Sequence, residues 1–192
     1  MDDCTVESCR RCADLVASRS RIVDGVGPTD ADLVFVGEAP GEQEDSDGEP
    51  FVGRSGSILD EALLAAGAER AAVRITNAVR CRPPDNRDPR TAELDACRDH
   101  LDAELAAIDP QVIVALGKVP AEHLLDRSVA VTSEAGSIET VGVGGRPRDV
   151  VISVHPAATL YDHSQRETFD DTIASAVDRA EVGSDQASIA DF

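Results

Sequence analysis

Residues 31–41 read "ADLVFVGEAPG". Leu33 to Val36 form an unbroken apolar run closed by a Gly/Pro turn, which predicts a strand buried on both faces and followed by a loop free to carry function. Three further stretches share the pattern: "VRIT" (73–76), "QVIVALG" (111–117) and "DVVISVHPAATLY" (149–161). Helical periodicity lies between them. In "SGSILDEALLAAG" (55–67), Ile58, Leu59, Ala62, Leu63 and Ala66 share one face and Gly67 is the stop. In "TAELDACRDHLDAELAAI" (91–108), Thr91 is the expected cap, and Leu94, Cys97, Leu101, Leu105 and Ile108 make the apolar stripe. A short helix over about 120–125 and a last one over about 164–180 complete the set. The stretch 128–148 is glycine-rich and weakly patterned, an irregular strand and loops.

Strands alternating with helices predict an α/β fold: a three-layer α/β/α sandwich around a central, mostly parallel four-stranded sheet. Residues 1–180 form one domain in this reading, and 181–192 a flexible tail. Ligands of such sheets bind at loops beyond the carboxyl ends of the strands. The candidate loops begin "GEAPGEQED", "NAVRCRPPDN" and "HPAATLY".

The chain has 192 residues, 42% hydrophobic, enough for one real core. It shows no membrane-spanning apolar run and no signal-peptide order at "MDDCTVESCRRC", so a soluble, cytoplasmic monomer without membrane partners is expected. Acidic residues number 37 against 18 basic, a net charge of −19, and Lys118 is the sole lysine. A carboxylate-rich, lysine-poor surface is the one expected of a cytosol at very high salt. At about 1 M salt the Debye length is roughly 3 Å, so this net charge does not exclude DNA as a partner.

Of the five cysteines, Cys9 and Cys12 form a C-x-x-C pair that can converge on a metal with Cys81 and Cys97; Cys4 could stand in for Cys9, though Cys9 and Cys12 are the tighter pair, and the odd number implies at least one bystander. Spacing alone does not separate zinc from an iron–sulfur cluster, and Cys97 also reads as a core residue.

Glu38 directly follows a strand, which places its carboxylate at the mouth of the sheet. Taken in order, "GEAPG", "DGEPFVGRSG", "ITNAVRCRPPDNR", "VIVALG" and "VHPAATL" closely resemble the type-4 uracil-DNA glycosylases, the iron–sulfur members of their superfamily. The resemblance spans about Cys9 to Ala180 and points to an archaeal source, a halophile given the charge balance. It implies a DNA repair enzyme that flips uracil out of single- or double-stranded DNA and hydrolyses its N-glycosidic bond, leaving an abasic site. Glu38 resembles the catalytic carboxylate and His155 the histidine that donates toward the uracil carbonyl. Phe51 resembles the aromatic stacked on the base, and Asn77 the amide that reads the uracil edge. Ala39, Glu44, the acid that crowds out a thymine methyl, and Asn86 complete the implied substrate site. Cys9, Cys12, Cys81 and Cys97 would hold a [4Fe–4S] cluster.

Two segments depart from the family. Its Leu-Leu-Arg segment is replaced by "ATLYDHSQR", with Tyr161 at the arginine position, and its basic loop before the last strand reads "VTSEAGSIE". DNA is then expected to be held by Arg80, Arg82, Arg87 and backbone amides. The alternatives are a uracil-DNA binding module without turnover, a relative acting on another deaminated base, and a zinc-stabilised nucleotide-binding protein.

The last residues, "QASIADF", fit Q-x-x-I-x-x-F and resemble the sliding-clamp binding motif of replication and repair proteins. One helical turn would present Ile189 and Phe192 to an apolar pocket of the clamp, with Gln186 beside them.

Overall fold

The computed structural model of the chain describes residues 4–143 and 145–182. The elements in chain order are α1 (Ala13–Ser18), β1 (Leu33–Gly37), α2 (Glu42–Asp47), α3 (Arg54–Ala65), β2 (Arg74–Asn77), α4 (Thr91–Ile108), β3 (Val112–Leu116), α5 (Lys118–Leu125), α6 (Val131–Glu134), β4 (Ile138–Val143), β5 (Arg146–Ser153) and α7 (His163–Arg179). The sheet order is β2-β1-β3-β5-β4. The first four strands in that order are parallel, and β4 adds an antiparallel fifth at the edge. This is the expected three-layer sheet with one strand more. β4 escaped the apolar-run reading because it lies at an edge, where only Val143 is fully buried.

Every residue of β1 and β3 is buried, and alternate side chains feed opposite layers. Leu33, Phe35, Ile75, Val114 and Val151 pack with α3 and α7. Val34, Val36, Ile113, Ala115 and Ile152 pack with α4 and α5. With both faces covered, polar function is confined to the strand ends. Because β1, β2, β3 and β5 are parallel, the loops after them open at one end of the sheet. Gly37 pairs with Asn77 across β1 and β2, which sets Glu38 beside Asn77.

Two expectations are corrected. Thr91 is the first residue of α4, not its cap. The cap position is Arg90, whose N–H donates to the Glu93 carboxylate at 2.8 Å, the third-residue half of a capping box, which needs no hydroxyl at the cap. Arg80 does not face solvent to grip DNA. It is 2% exposed, and its guanidinium is paired with Glu104 and Asp24.

Glu104, on the inner face of α4 and fully buried, also binds Arg74 at 2.7 Å. One carboxylate therefore clamps both ends of the segment 74–80. No helix among the described residues is long and apolar enough to cross a membrane.

Candidate active site

A cleft of about 390 Å³ opens where β1, β2 and β5 end, lined among others by Glu38, Ala39, Glu44, Phe51, Asn77 and His155. Close approach demands glycine at its floor. A Cβ on Gly37 would stand 2.3 Å from Asn77 Oδ1 and 2.5 Å from the Phe51 ring. Gly37 thus lets the amide and the ring meet over the end of the sheet.

Phe51 is held in the left-handed region, with φ 55°. A bulky residue adopts that conformation only when its surroundings over-determine it. They do so here through Glu44, whose carboxylate accepts the Phe51 N–H and, at 2.8 Å, the Gly41 N–H. Gly56 leaves room for the Phe51 carbonyl, which would lie 1.7 Å from a Cβ at that position. The Phe51 ring lies 5.9 Å from the His155 ring, tilted by 33°.

His155 Nδ1 accepts the Ala157 N–H at 3.1 Å. The ring proton therefore resides on Nε2, which leaves a donor for the cleft. Burial pushes the His155 pKa down to about 4, so the imidazole is neutral at neutral pH. Glu38 moves the other way: burial, and then the neighbouring Asp88 charge, push it up to about 7. A carboxylate with no compensating cation is costly to a fold, and such groups concentrate at functional sites. Asn77 is 2% exposed and its amide Nδ2 has no partner among the described residues. An unsatisfied buried donor at the cleft marks a place for a ligand acceptor.

Asn86 is not brought to the cleft. It is exposed, and its carbonyl accepts from Arg82 Nε at 2.7 Å. Arg87 is bound by both oxygens of Glu93. Beyond His155, Tyr161 is 89% exposed and Leu160 is partly so. Glu134 and Glu139, from the acidic segment before β5, are paired with Arg127. Gln186, Ile189 and Phe192 lie outside the described residues.

A second, small pocket of about 20 Å³ lies beside α1. Cys9, Cys12, Cys81 and Cys97 line it together with Arg19 and Leu15. Cys4 instead packs in the core layer of α4 and α5. Burial raises the Cys12 and Cys81 thiols and takes Cys97 to about 11. Arg19 donates to Cys81 Sγ and to the Cys9 carbonyl, each at 2.7 Å.

A parallel sheet whose strand ends gather an uncompensated carboxylate, a neutral imidazole and a buried amide belongs to a defined class. Residues 25–177 match the family model of the uracil DNA glycosylase superfamily, and the chain belongs to that superfamily. Within it the similarity is to the type-4 enzymes. The chain is 44% identical over 176 residues to the type-4 uracil-DNA glycosylase of Archaeoglobus fulgidus, covering 88% of each chain. It is 41% identical over 161 residues to that of Thermotoga maritima, covering 83% of this chain and 81% of the relative. A type-5 uracil-DNA glycosylase of Thermus thermophilus is 33% identical over 152 residues, covering 63% and 69%.

The Glu38 environment has a consequence for stability. With a folded pKa near 7 against an ordinary 4.5, the folded state favours the protonated acid. That contribution is complete below pH 4.5 and is lost as pH rises through 7. Glu38→Gln, neutral throughout, is expected to stabilise the protein by about 1–2 kcal/mol at pH 8 and to change nothing at pH 4. Thermal melts at the two pH values measure this; equal melting shifts at both would contradict it.

Proposed function

We propose that the protein excises uracil from DNA, hydrolysing the bond between the base and deoxyribose and leaving an abasic site for repair. The observation that carries this reading is the meeting, in one cleft, of Glu38 without a cation and His155 without a charge. A flipped deoxyuridine stacks on Phe51. The Asn77 carbonyl accepts uracil N3–H while its NH₂, otherwise unpartnered, donates to O4. Cytosine presents the opposite pattern and leaves buried groups unpaired. Ala39 and Glu44 bound the base, Glu44 chiefly by holding Phe51 in place.

As the C1′–N1 bond breaks, its electron pair leaves with uracil and positive charge grows on the sugar. Ionised Glu38 stabilises that cation and takes a proton from the water that attacks C1′. His155 Nε2–H donates to O2 of the departing anion and stays neutral, because a pKa near 4 leaves it no second proton at neutral pH. Leu160 and Tyr161 are the exposed apolar surface available to enter the gap left by the flipped base. Since Glu38 must be ionised, the rate should rise through about pH 7. The test is uracil release from single- and double-stranded DNA, from low salt to molar potassium chloride. The carboxylate excess and single lysine support a surface adapted to high salt, so activity should persist there. His155→Ala is expected to lose about 10²-fold in kcat, and Tyr161→Ala to lose more on duplex than on single strands. DNA left intact after alkali, or retained tightly without base release, would reject the reading.

We also propose a [4Fe–4S] cluster on Cys9, Cys12, Cys81 and Cys97. Among the described residues no three Cys, His, Asp or Glu side chains converge closely enough to share one ion. Cys9, Cys12, Cys81 and Cys97 nonetheless line one pocket, and four thiolates are the ordinary ligand set of such a cluster. When bound, the cluster supplies a covalent link between the N-terminal segment, the loop after β2 and α4. Protein purified without oxygen should be brown with about four irons per chain, and Cys97→Ser should lose both colour and melting temperature. A colourless, zinc-containing anaerobic sample would refute this.

The motif at Gln186, Ile189 and Phe192 supports binding to a sliding clamp. Removing residues 186–192 is expected to abolish clamp binding and spare uracil release from short oligonucleotides. Undiminished clamp affinity after the deletion would dismiss the motif.

A further inference from the structure

The arginines of this protein mostly serve its own carboxylates. At the strand-end face, Arg82 reaches Glu42, Arg87 binds Glu93, Arg90 binds Asp14 and Lys118 approaches Glu122. Arg54 is different. It is exposed, it lines the cleft, and among the described residues it makes no hydrogen bond or ion pair. Its position makes this stranger, because Arg54 is the first residue of α3, a twelve-residue helix. A cation there opposes the helix dipole, yet the first turn holds no acidic residue, although the chain has 37. The cap residue is Gly53, with no side-chain cap, and the first loop-to-helix bond is Ser57 N–H to the Gly53 carbonyl. The N–H groups of Arg54, Ser55 and Gly56 have no backbone acceptor among the described residues. The Ser55 hydroxyl, also lining the cleft, has no partner among the described residues.

We propose that Arg54, with the Ser55 hydroxyl and the first-turn N–H groups of α3, binds a DNA phosphodiester flanking the flipped nucleotide. The inference rests on the reading of the cleft as a uracil-DNA site. A base and its phosphates are separated by one deoxyribose, so a base seated on Phe51 and Asn77 leaves its phosphates at the rim. Glu38, Glu42 and Glu44 also line the cleft. Among its lining residues Arg54 is the one full cation that a phosphate can meet. A guanidinium already committed to a carboxylate would have to break that pair first; Arg54 breaks nothing. Its strength is that of a charge-assisted contact that reads no sequence.

The experiment measures binding of uracil-containing single-stranded DNA to the full chain by fluorescence anisotropy, with Glu38→Gln present to prevent turnover. Adding Arg54→Gln is expected to raise Kd about tenfold at low salt and to flatten the slope of log Kd against log salt by about one unit or slightly less. Arg54→Lys should recover part of the affinity. The phosphates on the two sides of deoxyuridine are then replaced singly by uncharged methylphosphonate. One replacement should weaken the Arg54 protein and leave the Arg54→Gln protein unaffected. Unchanged Kd and salt slope, or equal methylphosphonate penalties with and without Arg54, would overturn the site. Arg54 makes no hydrogen bond or ion pair among the described residues, so unaltered melting of the variant serves as the control for folding. The two readings fail separately. Normal uracil release with an indifferent Arg54 rejects only the phosphate site, whereas Arg54-dependent binding without any base release rejects only the catalysis. A protein that does not bind uracil DNA at all rejects both.

Discussion

The Glu104 carboxylate, fully buried in the inner face of α4, is the interaction on which the rest depends. It binds Arg74 at the start of β2 and Arg80 just before Cys81. Between those two arginines lies Asn77, and one side chain therefore sets both the amide at the cleft and the entry to the cysteine pocket. Asp24 completes the pairing with Arg80 and also accepts the Val6 N–H at 3.2 Å, which ties the N-terminal segment to the same point. Taking three or four charges out of water is costly, and their mutual attraction compensates only when the geometry is held by the surrounding core. Removal of Glu104 would leave Arg74 buried without its counterion, a loss of about 3–5 kcal/mol. The network thus couples the integrity of the fold to the position of the site.

The cleft inverts that logic. Glu104 is buried with cations, and Glu38 is partly buried without them. The first arrangement stabilises the fold; the second stores free energy in a carboxylate that becomes favourable only beside a developing cation. His155 follows the same principle with opposite charge. Burial takes its pKa down to about 4 and leaves a neutral imidazole, with a proton to share in a hydrogen bond and no charge to compensate.

Much of the site was legible because its residues fall where local pattern changes. Glu38 and His155 follow buried apolar runs, and Asn77 ends one, so the strand ends announced their chemistry. The pair Cys9 and Cys12 had its own spacing. Glu104 escaped notice because an acid in a helix rich in Asp and Glu looks like solvated surface. Yet it lies two turns beyond Cys97, on the same face as Leu101 and Leu105, and that heptad offset was its one signal. Arg80 was misjudged for a related reason, and Arg54 drew no notice. Loop arginines near prolines look alike in sequence, whether they are buried counterions or free cations. Asn86 resembled a site residue, but the turn it occupies directs its amide to Arg82.

By itself the sequence determined the parallel core, the order of its layers and the candidate site residues at the strand ends, because apolar runs, helical periodicity and residue chemistry are local properties. Tertiary structure alone decided which charges are paired, how far burial moves Glu38 and His155, and which cation of the cleft keeps no carboxylate partner among the described residues. Those are properties of desolvation and of partners distant along the chain, and no local stretch contains them.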